Sequence, residues 1–166
     1  MELPPYDPFP EIGTNTIVLR QILLADLPDL IEISRYDAKP AQTLEEAIEM
    51  QEKINSDFQN GESIHWVIED LKTNALVGTC GYYRGLEKGE GELGCILKSQ
   101  FRGQGYMRSA LELAINFGFH RIGLRKIIAI TTASNTAAIQ LLHRLHFVQT
   151  AILGDEELEF ECRGEF

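Results

Sequence analysis

GELGCILKSQFRGQGYMRSALELAINF, residues 91–117, decides the fold. Leu93, Cys95 and Leu97 alternate with Glu92, Gly94 and Ile96, the two-residue period of a β-strand. The pattern breaks at Lys98-Ser99-Gln100 and passes through Arg102-Gly103-Gln104-Gly105. Beyond it Met107, Ala110, Leu111, Ala114 and Phe117 recur at three- and four-residue steps, the period of an amphipathic helix. A strand, a glycine loop and a helix in that order form an anion site. The first N–H groups of the helix have no partner within it, and its dipole places partial positive charge beside them. Glycine tolerates positive φ and leaves no Cβ between the backbone and an approaching phosphate.

The loop is not a P-loop, because no Gly-Lys-Ser/Thr follows. It is a poor dinucleotide fingerprint too, since Arg108 stands where a third glycine belongs. A lone Gly-x-Gly also describes an ordinary tight turn. Charge tips the reading. From residue 98 to 126 the chain carries Lys98, Arg102, Arg108, Arg121, Arg125 and Lys126 against Glu112 alone, a local balance of +5 in a chain of net charge −10. A basic island beside a helix start suits a polyphosphate ligand; a solvated helix face is the plainer account of some of these side chains.

Gln100-x-x-Gly103-x-Gly105 resembles the acetyl-CoA signature Gln/Arg-x-x-Gly-x-Gly/Ala of the GCN5-related N-acetyltransferases (GNAT). The wider run GELG…FRGQGYMRSAL looks like the RimJ/RimL branch, which acetylates protein N-termini and other amines. NTAAIQLLHRLHF, residues 135–147, is similar to the Asn-x-x-Ser/Ala…Leu-x-x-x-Gly-Phe block of the same family. The resemblance spans roughly residues 14–163, and two blocks in order are more specific than either alone.

At 166 residues the chain is one domain with room for a sizeable core. No apolar run approaches the ~20 residues of a membrane span, and MELPPYDPFP lacks the basic and apolar parts of a signal peptide. Cys80, Cys95 and Cys162 are odd in number and lack metal spacing, so they read as reduced thiols of a cytoplasmic protein. His143 and His146 have no acidic or cysteine companion, so no metal is expected. The acidic balance argues against nucleic-acid binding, and no membrane partner is expected.

In chain order, Pro4, Pro5, Pro8 and Pro10 make residues 1–13 an extended arm outside the folded core. The single N-acetyltransferase domain implied by the resemblance takes residues 14–166. Thr16–Gln21 reads as a strand. Asp26 caps a helix with Leu27, Leu30 and Ile31 on one face, and Thr43-x-x-Glu46 is a capping box opening a second helix that ends at Asn60-Gly61. By resemblance these helices line the substrate side, where Tyr36 and Asp37 are contact candidates or plain loop residues. Residues 63–69 and 76–83 form a hairpin around Lys72-Thr73-Asn74. Lys126–Thr132 is a buried strand, Asn135 opens a helix, and strands 148–153 and 158–162 close the chain around Gly154-Asp155. The sum is an α/β, GNAT-like fold: a mixed, mostly antiparallel sheet of about seven strands with about four helices.

The resemblance implies acetyl-CoA as co-substrate, with no metal. Backbone groups of Cys95, Ile96 and Leu97 would meet the pantetheine arm, and a free N–H near Cys95 or Ile96 would form an oxyanion hole. Amides of Arg102, Gly103, Gln104, Gly105, Tyr106 and Met107 would take the pyrophosphate. Asn135 would contact the cofactor arm; as a helix N-cap it is equally well explained, and both can hold. The reaction is an acetyl transfer to a primary amine in a ternary complex, the amine being a peptide N-terminus or a small cationic molecule. At pH 7 roughly 10% of α-amines but only about 0.04% of lysine amines are neutral. A modest base therefore serves an α-amine, and Glu92 is the candidate; an exposed strand glutamate is the alternative.

Leu142 stands where the family often has a tyrosine acid, Ala138 where a serine is common, and His146 replaces the usual glycine before Phe147. Tyr106 or His143 could substitute as acid, and spacing selects neither. Acids at Glu87, Glu90, Glu92, Asp155, Glu156, Glu157, Glu159 and Glu161 would draw a cation if they lined the acceptor side; a solvated surface is the simpler reading. Of Tyr82 and Tyr83, one must point away from any pocket. A non-catalytic acyl-CoA-binding module and a second copy of the chain as partner both stay open.

Overall fold

The computed structural model describes residues 1–164. Ten strands run in chain order: β1 (Ile12–Gly13), β2 (Ile17–Arg20), β3 (Arg35–Tyr36), β4 (Lys39–Pro40), β5 (Ile64–Asp70), β6 (Leu76–Tyr82), β7 (Glu90–Leu97), β8 (Lys126–Thr132), β9 (Val148–Leu153) and β10 (Glu157–Arg163). The helices are α1 (Leu27–Leu30), α2 (Leu44–Gln59), α3 (Tyr106–Phe117) and α4 (Thr136–Arg144). Eight strands form one sheet in the order β1-β2-β5-β6-β7-β8-β10-β9, and β3-β4 is a separate hairpin. Every neighbouring pair is antiparallel except β7–β8. The mixed α/β class and the four helices are as expected. The additional sheet strand, β1, is contributed by the proline-rich arm, pairing Ile12 with Leu19.

That arm departs from the expectation. Its backbone is extended, but Tyr6 is buried, and Leu3 and Phe9 pack against the main core. The ring of Tyr6 meets Phe117 edge-on at 5.9 Å, and the Pro10 carbonyl accepts from the Trp66 indole at 2.9 Å. Proline fixes φ without forbidding burial, so prolines alone do not place a segment outside the core. The last two residues of the 14–166 domain lie outside the described residues.

Each face of the sheet is covered for a sequence reason. On one side Ala110, Leu111, Ala114 and Phe117 of α3 pack with Trp66, Tyr82 and Leu97, and Leu142 of α4 joins them. Tyr82, fully buried, donates its hydroxyl to the Ala114 carbonyl at 2.8 Å, satisfying an otherwise costly polar group. On the other side Leu27 and Leu30 of α1 meet Ile22, Ile33, Val67 and Leu76, with Leu44 and Ile48 of α2 against them.

Two caps differ from the sequence reading. Asp26 does not cap α1: its carboxylate accepts from Arg20 Nη1 and Nη2 at 2.8 and 3.0 Å and from the Leu23 N–H at 2.8 Å. Thr43 does cap α2, accepting from the Glu46 N–H at 3.2 Å, while Glu46 reaches back to the Gln42 N–H instead of its cap residue. Among the described residues no helix is long and apolar enough to cross a membrane.

Candidate functional site

The site starts where β7 and β8 part. Their parallel ladder holds only Glu90, Gly91 and Glu92 against Lys126, Ile127 and Ile128, yet β7 runs on to Leu97 and β8 to Thr132. On its other edge β7 stays paired with β6 through Leu97. Backbone groups alternate sides along a strand. The Glu92 carbonyl accepts from Tyr83 and the Lys98 N–H reaches Val77, so residues 92, 94, 96 and 98 spend their backbone groups on the β6 side. Those of Cys95 and Leu97 therefore face the gap left by β8. This separates the expected trio: Cys95 and Leu97 offer free backbone groups, whereas Ile96 offers its side chain.

Beyond Leu97 the chain enters the glycine loop. Gly103 and Gly105 have φ of +73° and +87°, and a Cβ at either would meet nothing within 4 Å, so the loop is open to the outside. Both angles lie in the region that glycine adopts without strain. The N–H groups of Gly103, Gln104, Gly105, Tyr106, Met107 and Arg108 have no protein acceptor among the described residues, and the helical bonding begins with the Ser109 N–H on the Gly105 carbonyl. They form an arc of donors at the start of α3. The Arg102 N–H, by contrast, is already held by the Ser99 carbonyl at 3.3 Å. Tyr106 ties the helix start down, its hydroxyl donating to Asp70 at 2.5 Å. That hydrogen bond, first, and the Thr73 N–H after it hold the Asp70 carboxyl below its usual range.

The expected basic island is mostly a set of ion pairs. Lys98 is buried and meets Asp29 at 2.6 Å; Arg108 meets Glu112, Arg121 meets Glu2, and Lys126 lies between Glu90 and Glu161. Arg125 donates to the Lys88 carbonyl. Arg102 is exposed and has no ion pair among the described residues, so backbone amides and one free guanidinium carry the anion-binding capacity.

Asn135 is on the far arm of the gap, just beyond β8. Its Oδ1 accepts from the Ala138 N–H at 3.2 Å, the helix cap expected of it, and the side chain is exposed.

On the α1/α2 face the gap opens into a cavity of about 500 Å³ lined in part by Gly94, Cys95, Ile96, Thr79 and Ile130. Tyr36 and Asp37 line it, and the Tyr36 hydroxyl donates to Asp57 at 3.0 Å. Glu92 is on the same face of β7 as Gly94, does not itself line the cavity, and pairs with Arg84 at 2.9 Å. Arg84 itself lines the cavity. None of the acids 87, 90, 155–157, 159 and 161 does so.

Neither substitute acid reaches the cavity. Tyr106 is committed to Asp70, and the His143 ring packs edge-on against Phe160 at 5.7 Å. Leu142 is buried in the core. The residue that sequence reasoning left undecided is Tyr83. Its ring crosses Gly94, and its hydroxyl has no hydrogen-bond partner among the described residues. Burial, first, and nearby Cys80, Cys95 and Glu92 raise its pKa far above the usual phenol value, so it stays a proton donor. His65, edge-on to Tyr83 at 4.6 Å, is held down at about 4 by burial and is neutral at pH 7.

A family model described as Acetyltransferase (GNAT) domain matches residues 16–148. The uncharacterised N-acetyltransferase YoaA of Bacillus subtilis is 27% identical over 153 residues, covering 87% of this chain and 86% of that one. RimL, a ribosomal L7/L12 α-N-protein acetyltransferase solved with coenzyme A, superposes with a TM-score of 0.81 at 18% identity, covering 93% and 98% of the two chains. The dodecameric spermidine N-acetyltransferase of Vibrio cholerae gives 0.75 at 19% identity, covering 90% and 95%.

Proposed function

The chain belongs to the GNAT acetyltransferase family, an N-acetyltransferase of RimJ/RimL-like fold, and on that premise we propose that it carries an acetyl group from acetyl-CoA directly to the α-amine of a peptide. The observation that carries this reading is the gap beyond Glu92, where the free N–H of Cys95 faces an opening that continues into the cavity. An amide fixed there is placed to meet the oxygen of a thioester as it gains charge, and being part of a strand it needs no reorganisation.

Each residue has a part that follows from its chemistry. Cys95 and Leu97 offer strand-like hydrogen bonds to the amides of a pantetheine arm. The arc of N–H groups from Gly103 to Met107, with Arg102 beside it, holds the pyrophosphate. Asn135 keeps its amide NH₂ free for the same ligand while its oxygen caps α4. Glu92 accepts the proton of the incoming ammonium, directly or through one water, once Arg84 yields. Tyr83 donates a hydrogen bond to the departing sulfur, and the second proton that the nitrogen loses as the amide forms passes to that sulfur, leaving coenzyme A as the thiol and Tyr83 as the phenol. The thiol's pKa near 8.5 makes that help useful without being indispensable. The amine and the thioester react in one ternary complex, and the chain works in the cytoplasm.

The test is thiol release from acetyl-CoA by the full chain, against peptides with varied N-termini, amino acids, polyamines and aminoglycosides. Turnover confined to peptides supports the reading. Turnover confined to small amines replaces it with small-molecule acetylation. Bound acetyl-CoA without any turnover would remove the catalytic assignment.

A further inference from the structure

The cavity in front of Gly94 says more about the acceptor than the phosphate loop does. At about 500 Å³ it is far larger than an amino group needs and falls within the usual range for a small-ligand site. One wall consists of Leu27, Leu30 and Ile33 from α1 and its flanking turn, and the facing wall of Met50 and Ile54 from α2. Ile130, in β8, completes the apolar lining and is 37% exposed. A branched aliphatic side chain left in water on a concave surface is covered at a gain when an apolar group enters.

The charges of the lining point the same way. Among the described residues Asp37 and Asp57 are its carboxylates, and Arg35 and Arg84 offset them. Asp57 already accepts from Tyr36. A polyamine brings several ammonium groups, each needing its own desolvated anion, and a lining with no surplus of carboxylates does not supply them. His65 adds a ring edge against Tyr83 and no positive charge at neutral pH. The rim at the β3–β4 turn is fixed: Asp37 and Ala38 have φ of +52° and +63°, the mirror-image turn of a two-residue hairpin, so the opening is defined by backbone.

We propose that the preferred acceptor carries a large apolar group beside its amine, in the peptide case an N-terminal Leu, Ile, Met or Phe, and that the apolar wall formed by α1, α2 and Ile130 selects it. This rests on the α-amine reading above and narrows it. Glycine, serine and alanine N-termini leave the wall wet, and polyamines leave charges unpaired.

The experiment measures kcat/KM for acetyl-CoA-dependent thiol release with peptides X-Ala-Ala-amide, X being Gly, Ser, Leu or Phe. Leucinamide, phenethylamine and spermidine are run in parallel. The Leu and Phe peptides are expected to exceed Gly and Ser by about tenfold or more, the discrimination that a few methylenes in an apolar pocket give. Spermidine is expected at background. Ile130→Asp, on an exposed strand position, and Met50→Glu, on the half-buried side of a helix, should each pull the Leu/Gly ratio toward one while acetyl-CoA affinity holds, which also reports that the variant is folded. Equal rates for all four peptides, or spermidine as the better substrate, overturn the inference. If leucinamide and phenethylamine turn over while every peptide is silent, the apolar wall stands and the peptide reading fails. Silence with every apolar amine overturns the apolar acceptor outright.

Discussion

Tyr83 lies across Gly94: a Cβ at position 94 would overlap the ring edge of Tyr83 and sit 2.9 Å from its hydroxyl. Tyr83 directly follows β6, which runs antiparallel to β7 with Gly81 paired to Gly94, so the absence of a side chain on β7 gives the tyrosine its place in the cavity. Gly94→Ala must therefore lift the ring. The expected result is a loss of turnover of about tenfold or more with acetyl-CoA binding retained. Tyr83→Phe keeps the ring and removes only the donor. Because the hydroxyl has no partner to orphan among the described residues, thermal stability should hold or rise slightly, while kcat falls at unchanged affinity for acetyl-CoA. A kcat equal to that of the parent would free Tyr83 of any proton-donating part.

Glu92 and Arg84 form a pair in which the arginine side chain is 70% exposed and the glutamate 22%. Such a pair contributes little to stability, so its removal isolates function. Glu92→Gln should lower kcat by about 10²-fold, the scale of a general base, and leave acetyl-CoA affinity intact. Arg84→Ala releases the carboxylate and should not reproduce that loss. Equal losses in the two variants would mean that the pair serves only to shape the edge of the cavity.

Much of this is legible in the sequence, and what is not has a common cause. The strand, loop and helix of residues 91–117 announce themselves through a change of period and two glycines, both local signals. Asn135 as helix cap is local too. The paired charges are not: Lys98 meets Asp29, 69 positions away, and Arg121 meets Glu2, so a basic island in sequence is largely neutralised in space. Asp26 looks like a cap until Arg20 claims it. Tyr6 and Phe9 look like an arm until Phe117 and Phe58 close on them. The choice between Tyr82 and Tyr83 follows from register: Tyr82 pairs with Leu93 on the core face, which turns Tyr83 toward Gly94. The glycine at 94, read with its partner Gly81, was the available signal.

Gly103 tests the donor arc without touching the cavity. Its φ of +73° strains any other residue by about 1–2 kcal/mol, and the space beside it is open, so a side chain would project where the ligand's phosphates are proposed to lie. Gly103→Glu adds a negative charge there. Acetyl-CoA affinity should drop by about 10²-fold or more in calorimetric titration, with a far smaller drop for Gly103→Ala. Retained affinity in the glutamate variant would move the pyrophosphate elsewhere.

His146 carries a cost that the fold does not need. It follows α4 with φ of +66°, its N–H bonding to the His143 carbonyl at 3.1 Å and that of Phe147 to Leu142 at 2.9 Å. This is a helix end that favours glycine. His146→Gly relieves about 1–2 kcal/mol of left-handed strain and gives back about 0.5–1 kcal/mol in chain entropy. The net gain lies between about 0 and 1.5 kcal/mol, and at about 1 kcal/mol it should raise Tm by about 2–4 °C in a chain of this size. A lower Tm would mean that the exposed imidazole makes a contact worth more than the strain.

His65 makes the fold sensitive to mild acid. Burial lowers its pKa from the ordinary 6.5 to about 4. As pH falls below 6.5 the unfolded chain takes up a proton that the folded chain refuses, so folding weakens, and the loss is complete near pH 4, where the folded imidazole also protonates. The full depression corresponds to at most about 3 kcal/mol. Ordinary carboxylates titrate mostly below about pH 4.5, so the interval from 6.5 to 5 reports His65 with little interference. Denaturant unfolding across that interval should show stability falling with pH in the parent and staying nearly flat in His65→Gln. An equal slope in both proteins would place the acid sensitivity elsewhere and leave His65 free to titrate in the range where the enzyme works.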